Sequence, residues 1–364
     1  MGAADASPVE ISMPTLDKTL SGVYYLNEGD TLLTTNGYSS AVVIGTPQAD
    51  TFQTSANGGT FEFSSFNAFA GDDRLIIKDV DTVGFGNLYN GGAGVDTLEL
   101  TTNTRIVMTN SADISATTGG TNIAFDSNGT TVGNLGVTQV ERYIIKASAF
   151  DDVLSGSAGN DFLDGRGGTD TFNGSAGNDG YVFDNINERV VGEQANGGND
   201  SIWTSVSVDL RQNANVENLR MTGSDNIAGT GSDGKNLITG NEGDNVITGG
   251  AGNDTLWGKG GVDTFVFAEA GSANKDFVYD FGSDDFIKLD QSQGAFAGLT
   301  SNGGTLDPAD LSINKAVGFD AQLVYNKATG VLSYDSNGAA AGGSQDIAFI
   351  GANLDLRADH ILLA

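Results

Sequence analysis

The sequence predicts an all-β protein, a parallel β-roll or β-helix solenoid with cation-binding turns and a small β capping region at its C-terminal end. Three observations carry this. A nine-residue unit repeats in phase; 53 glycines stand against only 4 prolines in 364 residues; and 47 acidic residues face 17 basic ones, for a net charge of -30. The glycines follow no three-residue period, which excludes collagen and assigns them to turns. With 38% hydrophobic residues, including 19 Phe and 9 Tyr, the chain is too apolar for a disordered acidic tail and must build a core.

The repeat comes first, because a fixed period decides the architecture. Residues 147–182 divide into ASAFDDVLS, GSAGNDFLD, GRGGTDTFN and GSAGNDGYV, and residues 231–266 into GSDGKNLIT, GNEGDNVIT, GGAGNDTLW and GKGGVDTFV. The sixth place is always Asp or Asn: Asp152, Asp161, Asp170 and Asp179, then Asn236, Asn245, Asp254 and Asp263. The eighth place is always large and apolar: Leu154, Leu163, Phe172, Tyr181, Ile238, Ile247, Leu256 and Phe265. Single copies bring Asp50, Asp73, Asp96 and Asp200 to the same place at 45–53, 68–76, 91–99 and 196–203. Four regions are expected: 1–45, a strand, cap or assembly segment; 46–146, a degenerate solenoid; 147–266, the two blocks with a β excursion between them; and 267–364, the cap.

Each unit contains its own folding logic. Its glycine-rich first six residues form a turn in which positive φ and close stacking of neighbouring turns are needed. Its last three form a short strand whose middle residue, place eight, points into the core. Two units complete one coil of about 18 residues, which stacks Asp152 with Asp170, Asp161 with Asp179, Asn236 with Asp254 and Asn245 with Asp263. Two carboxylates about 5 Å apart repel by about 3 kcal/mol at an effective dielectric near 20, so the roll requires a cation. The turn glycines that would expose carbonyl oxygens to it are Gly156, Gly159, Gly165, Gly167, Gly174 and Gly177 in the first block and Gly249, Gly252, Gly258 and Gly260 in the second. Carboxylate, amide and carbonyl oxygens suit several calcium ions. Zinc and copper would want more than the single His and the absent Cys offer.

Between the repeats, residues 98–145 and 182–221 read as further strands of the same solenoid with longer loops. DFVYDFGSDDFIKLD at 276–290 alternates apolar and acidic residues; it predicts a capping strand pair with its own acidic cluster, in which Asp280 and Asp285 are candidate ligands. LVYNKATGVLSYDSNG predicts a hairpin, and short helical turns are expected near Asp307–Leu311 and before Leu363. Asn236 and Asn245 remove charge from two sites and are expected to weaken them.

The units resemble the repeats-in-toxin (RTX) calcium-binding nonapeptide family, whose consensus is G-G-x-G-x-D-x-U-x with U large and apolar. The resemblance implies export from a Gram-negative bacterium through a type I secretion apparatus that reads an uncleaved C-terminal signal, and folding outside the cell. The hairpin and the tail ending DHILLA are similar to that family's C-terminal segments. The first twenty residues lack a basic start and an apolar run, and so do not read as a cleavable signal. No run of about 18 apolar residues predicts membrane insertion, and the acidic charge disfavours nucleic acid.

Neither H-E-x-x-H nor G-x-S-x-G occurs. The expected function is therefore a secreted calcium-binding structural protein for surface assembly or adhesion, as an S-layer, filament or matrix component that meets itself or a cell-surface polysaccharide. A lyase or epimerase-like enzyme on a β-helix, or the secretion module of a larger toxin, are the alternatives.

Overall fold

The structure is a computed structural model, which describes residues 22–25, 31–34, 41–55, 60–61, 65–80, 82–83, 86–111, 120–127, 130–213 and 215–364. Much of the segment 1–45 lies outside the described residues. By contacts the chain divides into two units, Met1–Asp200 and Ser201–Ala364, and each is a parallel β-solenoid.

In the first unit two sheets face each other across the core. Val153–Ser155, Thr171–Asn173 and Arg189–Val190 stack in one, and Arg142–Lys146, Phe162–Asp164 and Gly180–Phe183 in the other. The registers Leu154↔Phe172 and Leu163↔Tyr181 confirm a coil of two nonads, each pair 18 residues apart. All eight place-eight residues are fully buried. The reason is the strand's period of two: with three residues per strand, only the middle one can face inward. Phe172 lies 5.7 Å from the ring of Tyr181 and 5.4 Å from Phe183. Phe172→Ala is therefore expected to cost about 3–5 kcal/mol, read as a drop in the urea midpoint in saturating calcium.

The excursion at 98–145 departs from a simple solenoid. Arg105–Ser111, Gly120–Ser127 and Thr130–Thr138 run forward, back and forward, so an antiparallel strand sits inside an otherwise parallel sheet. The outer two strands still pair in parallel with the coils before and after, through Asn87–Asn90 and Val153–Ser155. Stacking is thereby preserved while the chain grows by a hairpin.

In the second unit, Leu237–Thr239, Thr255–Trp257 and Asp276–Val278 stack in one sheet, and Val246–Thr248, Thr264–Phe267 and Phe286–Leu289 in another. The strands of 276–290 are therefore not paired with each other as expected. Nine residues separate Val278 from Ile287, one nonad, which carries the second strand to the opposite sheet and adds another coil. The hairpin Gln322–Asn326 with Val331–Asp335 forms as expected and is widened by Ser344–Phe349. The tail strand Ile361–Leu363 closes in parallel on Phe286–Leu289. Short 3-10 turns form at Pro308–Asp310 and Ala358–His360, where helical turns were expected, and also at Leu210–Gln212.

Candidate metal-binding ladders

The place-six residues form ladders along the solenoids. Each rung is a backbone N–H that donates to the carboxylate one coil later. Asp50 donates to Asp73 (2.7 Å), Asp73 to Asp96 (2.8 Å) and Asp96 to Glu141 (2.9 Å). Tyr143 donates to Asp161, Asp161 to Asp179 (2.7 Å) and Asp179 to Asp200 (2.7 Å). On the other side, Ile106 donates to Asp152 and Asp152 to Asp170 (2.7 Å). In the second unit Asn236 donates to Asp254 (2.8 Å) and Asp254 to Asp276 (2.9 Å), while Asn245 donates to Asp263 (2.8 Å) and Asp263 to Asp285 (2.9 Å). Each of the four stacks expected from sequence is present.

All of these side chains except the half-buried Glu141 are buried, and burial disfavours the charged form of the carboxylates. It pushes Asp73, Asp161 and Asp170 up to about 7, and Asp96, Asp179, Asp254 and Asp263 up to about 6. Asp276 and Glu188 rise to about 8, while Asp152 and Asp285 shift in the same direction. Buried carboxylates that face like charges need a proton or a cation.

The donor set fits calcium. It consists of carboxylate and carbonyl oxygens, and the Oδ2 atoms of Asp73, Asp96, Asp170, Asp179 and Asp254 are buried without a hydrogen-bond donor. The chain's one His, His360, is buried in the tail with its Nε2 2.7 Å from Arg357 Nη2. One grouping stands apart: Asp179, Glu193 and Asp200 each bring a carboxylate oxygen within 4.8 Å of the other two. Glu193 Oε1 accepts from Gly174 N (3.0 Å) and from the Tyr181 hydroxyl.

The glycines separate by role. A Cβ at place one, at Gly156, Gly165, Gly174, Gly249 or Gly258, would sit within 2.0–2.4 Å of that turn's own place-six carboxylate. At place four the obstacle is the preceding coil. A Cβ on Gly159, Gly177 or Gly252 would meet the carbonyl oxygen of Glu141, Gly159 or Gly234 at 1.9, 2.1 or 2.7 Å. Place three is more permissive: Gly167 would meet only Ala149 Cα at 3.7 Å, and Gly260 the flexible end of Glu242.

Asp280 does not join a ladder; its carboxylate accepts from the N–H groups of Gly258 and Lys259. Asn236 and Asn245 do more than remove charge. Asn236 Nδ2 donates to Glu217 O (3.1 Å), and Asn245 Nδ2 to Ile227 O (3.4 Å) and Asn241 Oδ1 (2.9 Å). An amide N–H thus meets carbonyls of the preceding coil without a cation.

Three carboxylates escaped the sequence reading as ligands, Glu141, Glu188 and Glu193, and Asp276 entered it only as part of the acidic cluster at 276–290. GVTQVERYI and FDNINERVV do carry Glu at place six and Tyr143 or Val190 at place eight, a signal hidden by requiring Asp or Asn there.

Residues 147–181 and 230–265 match the RTX calcium-binding nonapeptide repeat in four copies. Among solved structures, the chain is similar to the extracellular lipase LipA from Serratia marcescens, with 15% identity, a TM-score of 0.21, and coverage of 92% of this chain and 45% of the lipase. The chain thus spans less than half the length of that protein. No curated protein matches it.

Proposed function

We propose that this chain, a carrier of RTX calcium-binding nonapeptide repeats, is a secreted structural protein whose coils close when several calcium ions neutralise their turns. The observation that carries this reading is the set of buried place-six carboxylates whose Oδ2 atoms meet no donor. The residues proposed to hold the ions are the place-six aspartates with turn carbonyls and, at the end of the first unit, Glu193. Bound calcium supplies positive charge and an oxygen-coordinating centre; the chain supplies the aligned oxygens. Export through a type I secretion apparatus of a Gram-negative cell would keep the chain open where calcium is scarce and fold it outside. With dissociation constants near 10⁻⁴ M, millimolar calcium contributes roughly 1.4 kcal/mol per site.

Assembly as an S-layer, filament or adhesive matrix, through a second copy or a surface polysaccharide, is the role proposed for the folded form. It is favoured by an exposed aromatic strip on the second unit, where Trp257 stacks on Tyr279 at 4.9 Å beside Phe277; such strips mark contact surfaces. Calcium titration from chelator to about 10 mM, followed by circular dichroism and light scattering, is expected to show a cooperative gain of β signal with a rise in mass. A gain at constant mass would remove the assembly role, and no gain would remove calcium-driven folding.

A further inference from the structure

Eleven ladder turns fall into two kinds, and the difference lies at place two. In the turns of Asp50, Asp152, Asp161, Asn236 and Asn245, place two is Thr46, Ser148, Ser157, Ser232 or Asn241. Its backbone N–H donates to the place-six side chain at 2.6, 3.0, 2.6, 2.7 and 2.8 Å respectively. These turns are closed by the chain itself. In the turns of Asp73, Asp96, Asp170, Asp179, Asp254 and Asp263, place two is Phe69, Gly92, Arg166, Ser175, Gly250 or Lys259, with φ of 77°, 102°, 62°, 79°, 92° and 71°. Here no place-two N–H donates to the carboxylate, and in all of them but that of Asp263 the Oδ2 atom is left buried without a donor.

Left-handed backbone is costly for Phe, Arg and Ser, and such strain persists where a site needs it. Its effect here is to leave one carboxylate oxygen bare, which is what a cation requires. Ser175 shows that conformation rather than residue type decides, because Ser at place two closes the turns of Asp152 and Asp161 but not that of Asp179.

We infer that calcium occupies the turns whose place-two residue is left-handed, those of Asp73, Asp96, Asp170, Asp179, Asp254 and Asp263, and that the turns closed by a place-two N–H are structural and hold no ion of their own. The inference deepens the proposed calcium-driven folding and rests on it.

The two kinds of turn respond oppositely to an amide. Asp96 and Asp254 use Oδ1 for the ladder and leave Oδ2 without a donor, with the Asp276 carboxyl beside Asp254, so Asp96→Asn and Asp254→Asn keep the rung and lose the bare oxygen. Asp152 and Asp161 use both oxygens, so an amide there breaks a hydrogen bond. Native mass spectrometry of the full chain in calcium is expected to count one ion fewer in each of the first two variants and the wild-type number in Asp152→Asn and Asp161→Asn. The latter two are expected instead to melt earlier in saturating calcium. Loss of an ion from the Asp152 or Asp161 variant, or a full count in the Asp96 and Asp254 variants, overturns the assignment. Wild-type protein that holds no calcium at all would instead overturn the folding reading beneath it.

Discussion

Stripped of calcium near pH 8, the protein is expected to lose most of its β-sheet circular dichroism, and to recover much of it either in millimolar calcium or, still in chelator, on acidification to about pH 5. The ladder carboxylates carry this result. Burial raises them to between about 6 and 8 in the fold, against about 4 in the unfolded chain. A raised carboxylate favours the fold while it is protonated. That contribution is whole below the unfolded value and is lost as pH climbs through the folded one. Each tenfold difference in proton affinity is worth about 1.4 kcal/mol, and several buried carboxylates act together. Calcium takes the place of these protons, so in calcium the dependence reverses and acid weakens the fold by competition. Thermal melts between about pH 5 and 8, kept clear of the isoelectric point near 4.1, read both arms. Equal apo stability across that range would mean that the ladders do not govern folding.

Gly177→Ala is expected to do heavy damage for a single added methyl group. Gly177 has φ 118°, and a methyl group there would lie 2.1 Å from Gly159 O and 2.5 Å from Gly159 C. Both obstacles are backbone, and the turn stack cannot spread without breaking the neighbouring rung from Asp161 to Asp179. Backbone strain and overpacking together set the cost at about 3 kcal/mol or more. Gly167→Ala is the control: its nearest neighbour is at 3.7 Å, so the change should stay within about 0.5 kcal/mol. Urea titration of both variants in saturating calcium decides the matter. Similar midpoints would show that the stacked turns yield more readily than the geometry implies.

The repeat made the solenoid legible because each nonad states twice where it belongs, once by an apolar residue at place eight and once by an acid or amide at place six. Leu163 and Phe172 needed no neighbour to be placed in the core. The ladders were legible only where the period held at 18. Asp73 follows Asp50 by 23 residues and Asp200 follows Asp179 by 21, because loops lengthen without disturbing the strand stack. Glu141 comes 45 residues after Asp96, across the antiparallel hairpin, and no local pattern could announce that partnership. Hidden most deeply was the sign of φ at place two. Ser157 and Ser175 occupy the same place in GSAGND, yet one closes its turn and the other, left-handed, does not.

Because one nonad carries the chain from one sheet to the other, length in these solenoids has parity. Eighteen residues added or removed within a block return every later strand to its own sheet, with its apolar residue still inward and its N–H still facing an acid. Nine would exchange the two faces for everything downstream. The loops that stretch a coil from 18 to 21, 22 or 23 residues leave that count untouched. Growth by whole coils and decoration by loops are thus independent, and a surface can be varied without renumbering the core.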